Sequence, residues 1–202
     1  MSATVKTPLA LGRALRRWRL LHRVKQEHAA QLFGVAQSTV SRWEAGRQAM
    51  EPAERAKIEA MVSARLDSAA DRVLAALVSE SPRPVHLICD LTHCLLACSA
   101  KRAEEFGVCA TDLMGNSLLC YATEEILAKE ETLANVGWYD ESVPRSVEFY
   151  TGANGSLIVP IWESCCRWTR LLLSDGTAAR LVETLSRENR SRLASPSGDL
   201  NA

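Results

Sequence analysis

Two short amphipathic stretches, one running from about Gln26 to Phe33 and one from 37 to about 45, stand only three residues apart, and glycines (Gly34, Gly46) follow them closely. Ala29, Ala30 and Phe33 fall on one face of the first; Val40 and Trp43 fall on one face of the second. Glycine adopts the left-handed conformation that a tight helix exit needs, so this spacing predicts two short helices meeting at a sharp turn. Upstream, Leu11, Ala14, Leu15, Trp18 and Leu21 recur at intervals of three and four, a helix whose other faces carry Arg13, Arg16 and Arg17. Pro52 suits the first turn of a further helix, with Ile58, Met61 and Val62 packing back. Trp18 and Trp43 fall on the inward faces and are expected in the core.

The local residues are specific as well as periodic. The run Gln26-Glu27-His28-Ala29-Ala30, then Gly34-Val35, then Gln37-Ser38-Thr39-Val40-Ser41-Arg42-Trp43-Glu44-Ala45-Gly46-Arg47 resembles the signature of Xre/Cro phage-repressor-type helix-turn-helix regulators. The resemblance covers about the first 60 residues. It implies a DNA-binding domain over 8–62, a five-helix bundle whose third helix lies in the major groove of duplex DNA. By the same resemblance Gln37, Ser38 and Arg42 read bases. Gln pairs with adenine and Arg with guanine through two bonds, each worth about 1–3 kcal/mol of discrimination. Gln26 opens the second helix against a phosphate, and Thr39, Ser41 and Arg47 are further backbone contacts. Arg19 and Glu44 are implied to form a structural ion pair. Lys25 and Ala36 depart from the pattern, standing where Ser or Thr caps are usual; a lost cap costs about 0.5–2 kcal/mol. Ala29 replaces a usual leucine.

Charge supports a polyanionic partner for this half. The chain is formally neutral, yet residues 1–66 hold 12 Lys and Arg against 5 Asp and Glu, and residues 67–202 hold 12 against 19. No apolar run approaches the roughly 20 residues of a membrane span, and the first nine residues lack a secretory core, so a cytoplasmic location is expected. All seven cysteines lie between Cys89 and Cys166, without paired Cys-x-x-Cys spacing, so no metal site is expected and most should be buried thiols. Cys165 and Cys166, with Arg167 and Arg170 nearby, form the candidate redox pair, as a neighbouring cation lowers a thiol pKa.

From Val62 to Val78, the positions Val62, Leu66, Ala69, Val73 and Leu77 predict an amphipathic connector, assigned to 63–80, whose stripe serves dimerisation. A homodimer gripping two half-sites is the expected assembly. Ser81-Pro82-Arg83-Pro84 breaks the helix.

Beyond it the pattern turns to mixed elements. Val85 to Ser99 predicts two strands around Asp90-Leu91-Thr92-His93, followed by a short helix at Lys101–Phe106 and one at Thr123–Asn135 with Thr123 as cap. Strands are predicted at 146–151, 156–162 and 166–173, with Gly152-Ala153-Asn154-Gly155 as a turn, then a helix from Thr177 to about Leu193 and a flexible tail. This order, with Ile88-Cys89-Asp90, Asp112-Leu113-Met114-Gly115 and Asp175-Gly176-Thr177 followed by Glu183 and Leu185, resembles a PAS domain over 82–187, leaving 188–202 as helix end and tail. That resemblance implies a sensor or dimerisation domain with an antiparallel sheet, flanking helices and room for a small-molecule ligand. It names no cofactor: Gly115-Asn116-Ser117 lacks the flavin-binding cysteine motif, and His86 and His93 lie in or beside the first hairpin, away from the usual haem-ligand helix. Trp138, Trp162 and Trp168 are expected in core or pocket lining. The expected fold class is therefore multidomain, α in front and α+β behind. No phosphate loop, metal-binding His pair or nucleophile elbow is present, so an enzyme is not expected. The alternative is an antitoxin-like module whose acidic C-terminal half binds a protein partner.

Overall fold

The computed structural model describes residues 8–139 and 146–185. Four helices come first: α1 (Pro8–Leu21), α2 (Gln26–Phe33), α3 (Gln37–Glu44) and α4 (Pro52–Val62). Gly34 takes a left-handed φ of 69° and ends α2. Lys25 and Ala36 give α2 and α3 no side-chain cap. Leu11, Ala14, Leu15, Ala29, Ala30, Phe33, Val40, Trp43 and Ile58 form the buried interior, with Phe33 edge-on to Trp43 at 6.3 Å. Trp18 is only partly buried and lies 5.0 Å from the His22 ring. At Gly12 an added Cβ would stand 2.0 Å from the Trp43 carbonyl oxygen, so glycine is what lets α1 lie directly on α3.

The expected five-helix bundle has four helices in the structure. The next helix, α5 (Ala69–Ser79), packs on β1 (Val85–Cys89) and β2 (Leu95–Cys98). Nor is the connector one continuous helix, because residues 63–68 are irregular. Ser68 caps α5 in a reciprocal box with Asp71, and Asp71 Oδ1 also accepts from the backbone N and the Oγ of Ser174, which pins the helix to the sheet. The predicted stripe splits accordingly. Val62 is buried, whereas Val73 and Leu77 are 60% and 64% exposed, and it is Leu74, Ala75 and Val78 that face the sheet.

The remaining elements are α6 (Ala100–Glu105), α7 (Ala110–Leu113), α8 (Glu124–Thr132), β3 (Ser146–Tyr150), β4 (Cys165–Leu172) and β5 (Ala178–Thr184). Together they give one antiparallel five-stranded sheet in the order β2-β1-β5-β4-β3. Thr123 caps α8 by accepting from the Ile126 N–H. Among the described residues two strands, short helices and three strands follow in that order, a mixed fold with an antiparallel sheet as expected, although the last three strands are not all where the sequence predicted them.

Two predicted elements are wrong in detail. Residues 156–162 are not a strand: Asn154 accepts from the N–H groups of Ser156 and Ile161 and donates to the carbonyls of Tyr121 and Val159, holding this stretch as a folded loop. Residues 178–184 are the central strand β5, not the start of a helix, with Asp175-Gly176 in the hairpin turn from β4. The remainder of the predicted helix and the tail, 186–202, lies outside the described residues.

The sheet has two covered faces. Leu87, Cys89, Ala97 and Ala179 lie on one, in a core continuous through Val62 and Ala64 with the helical bundle. Ile88, Cys166, Trp168 and Val182 lie on the other, with Leu113, Leu133 and Trp138 from the helical side.

Candidate functional site

The first candidate site is the outer face of α2 and α3. Gln37, Ser38 and Arg42 are exposed there, Thr39 and Ser41 are half-buried, and Arg47 is exposed just beyond the helix. A chain of side chains sets the geometry. Arg19 donates to both carboxylate oxygens of Glu44 at 2.8 and 2.9 Å; Gln26 donates to Glu44 Oε2 at 2.9 Å; and Gln37 donates to Gln26 Oε1 at 2.6 Å. Glu44 raises the Arg19 pKa through that hydrogen bond. The buried pair thus holds Gln26, and Gln26 orients Gln37. A glutamine amide has two N–H donors and a carbonyl, so Gln37 keeps a donor and an acceptor for a base edge. Arg42 spends only its Nε, on the Ser38 carbonyl at 3.2 Å, leaving the outer fork of the guanidinium free among the described residues. This is a side-chain set able to make bidentate contacts with adenine and guanine.

The second candidate site is a cavity of about 570 Å³ between the sheet and the α6–α8 side. Most of its wall is apolar, with Ile88, Leu118, Ile126, Pro160, Trp168 and Val182 among the lining residues. Trp162 is among the lining residues and is 64% exposed. The polar part of the wall centres on Arg180, which is fully buried on the middle strand. Its guanidinium lies 4.3 Å from the Trp168 ring centroid and 5.2 Å from that of Trp138. Its Nε donates to Asp90 at 2.8 Å and its Nη1 to Glu130. Asp90, also fully buried, accepts from Trp138 Nε1 and from Arg170 Nε as well. Burial opposes charge on Arg180, but Asp90 and Glu130 outweigh it and raise its pKa.

Glu130 joins the two halves of the molecule. It lines the cavity, meets His93 Nε2 at 2.9 Å, and pairs with Arg17 of α1 at 3.2 Å. Burial opposes its ionisation, yet Arg180 and His93 hold its carboxyl well below the usual range. His93 is therefore a buried partner of a carboxylate, in a left-handed turn at φ 58°.

Both thiols of the candidate redox pair are buried, and burial pushes Cys166 up to about 12 despite the Arg102 and Arg180 charges, which disfavours its thiolate. Among the described residues no group of three His, Cys, Asp or Glu is placed to hold a metal ion. No described helix is long and apolar enough to cross a membrane.

Sequence reasoning placed Gln37, Ser38 and Arg42 on α3, where they are exposed, and missed the cavity's charged wall. Arg180 and Glu130 gave no signal, since both fell within predicted helices and the residues they pair with are distant in the sequence.

No family model matches the chain, and no curated protein matches it. Among solved structures it is similar to the PAS domain of BvgS from Bordetella pertussis, with 14% identity and a TM-score of 0.36 over 60% of this chain and 89% of that one. It is also similar to the PAS domain of an HTR-like protein from Haloarcula marismortui, with 17% identity and a TM-score of 0.39 over 57% of this chain and 90% of that one.

Proposed function

We propose that this protein is a transcriptional regulator that reads duplex DNA with α3 and senses a small molecule in the cavity of its PAS-like half. The observation that carries the reading is the exposed set Gln37, Ser38 and Arg42 on the outer face of α3, with Gln37 pre-oriented through Gln26 and Glu44. The net positive charge of the first 66 residues supplies the non-specific attraction to phosphates.

The Arg17–Glu130 pair is the proposed route from cavity to DNA. A ligand that changes how Arg180 and His93 engage Glu130 changes the hold of Glu130 on α1, and so the placement of the bundle. The exposed Val73 and Leu77 of α5 are the proposed dimer contact, which places two α3 helices on two half-sites. The test is selection of the purified full chain against random duplexes. Enrichment of a short motif in paired half-sites is expected; unaltered base frequencies overturn the reading.

A further inference from the structure

Apolar side chains that keep solvent-accessible surface converge on the cavity from three segments. Leu118, Leu119 and Ala122 precede α8, Ile126 lies on it, and Pro160 and Ile161 belong to the folded loop; all six line the cavity and all are half-buried. Trp162, next in the loop, is 64% exposed. Apolar surface gathered around a concavity is surface that a ligand can cover. The charged groups of the wall are largely matched within the protein. Arg83 pairs with Glu183 at 3.0 Å, Arg102 pairs with Glu105, and Arg180 is set between Asp90 and Glu130. Arg102 also donates to the Pro84 carbonyl and to the Thr184 hydroxyl. His93 meets Glu130; His86 is held neutral, by burial first and then by the Arg102 charge. The Thr151 and Ser164 hydroxyls lie 3.3 Å apart, and Thr151 Oγ1 also faces the Gly152 and Trp162 carbonyls. Glu163 is the one charged lining residue without a partner among the described residues, and it is exposed to water.

A charge taken out of water is costly unless a partner of opposite sign meets it. Among the described residues each arginine of this wall already has its carboxylate, so an anion finds no free cation there, and a cation finds only the hydrated Glu163. We infer that the cavity takes an uncharged, largely apolar small molecule, held by shape and apolar burial and not by an ion pair. Its body covers the half-buried surface of Leu118, Ile126 and Ile161 and the exposed ring of Trp162. About 570 Å³ is within the roughly 300–1,000 Å³ of cavities that hold small organic ligands. The inference rests on the sensor reading of the cavity and is independent of DNA recognition by α3.

The test is calorimetric titration of the full chain with 4-phenyl-1-butanol, 4-phenylbutyrate and 4-phenylbutylammonium, which share a body and differ in charge. The alcohol should bind, and each ion should bind at least about tenfold more weakly, since it leaves water without gaining a partner. Ala122→Trp, which fills the concavity, should abolish binding of the alcohol. Trp162→Ala removes an exposed ring and should weaken the alcohol about tenfold. Should Ala122→Trp fold poorly, the Trp162→Ala result decides where the alcohol sits, and affinity unchanged by it overturns the site. Tightest binding of either ion, or equal binding of all three, overturns the uncharged class while leaving a ligand cavity in place. Binding of none overturns the inference together with the sensor reading, and the DNA selection is untouched by every one of these results.

Discussion

Arg180 is the residue around which the polar wall of the cavity is assembled. A lone buried guanidinium is costly, and this one is tolerated because Asp90 and Glu130 both oppose it and two indole rings flank it. The same residues give the fold a definite response to acid. Glu130 is held below the usual carboxylate range, so its contribution is complete at neutral pH and is lost as pH falls through that range. His86 is held neutral in the folded state; below about pH 6.5 the unfolded chain gains a proton that the folded chain refuses. Both effects have one sign. The urea midpoint should fall from about pH 7 to about pH 5, and His86→Phe should flatten that slope. A midpoint that is constant or rises on acidification contradicts the assignment. None of this was legible in the sequence, because the pairing of Glu130 with Arg180 and Arg17 joins residues far apart in the chain.

Among the elements, the α1–α3 contact carries the clearest stability consequence. Gly12→Ala gains about 1 kcal/mol of helix propensity in α1. It also forces a Cβ to 2.0 Å from the Trp43 carbonyl, and backbone cannot yield there as a side-chain tip would. Relieving such overpacking costs about 1–3 kcal/mol, so a net destabilisation is expected in thermal unfolding. A raised midpoint would show that α1 does not lie on α3 in this way. The helices themselves were readable because their periodicity and glycine stops agree with their packing. The strand β5 was not. Its Ala-Ala-Arg-Leu-Val-Glu run is rich in good helix formers, yet it fills the gap between β1 and β4, so pairing on both edges overrides propensity. The Asp175-Gly176 pair was the one local sign of a hairpin. In the 156–162 segment the apolar run was read as a strand, and the Asn154 side chain, bonding to the backbone that a strand would use, explains why it is not.

Across the whole molecule, the basic helical half and the acidic sheet half share one continuous core through Val62 and Ala64, and one buried carboxylate, Glu130, touches both. The proposed function asks for three parts, and the structure offers a candidate for each: the exposed α3 face, the cavity, and the Arg17–Glu130 contact between the halves. The helical front half, the sheet behind it and the exposure of Gln37, Ser38 and Arg42 on α3 were legible from the sequence; the contact between the halves was not, since Arg17 looked like one more solvated arginine. The reading surface is the central claim, and Arg42→Ala tests it most directly. In a competition assay across single-base variants of the selected duplex, wild type should discriminate at one guanine by about 1–3 kcal/mol, and the variant should lose that discrimination at that position while retaining non-specific, salt-dependent affinity. Unchanged base preference in Arg42→Ala would contradict the placement of α3 in the major groove.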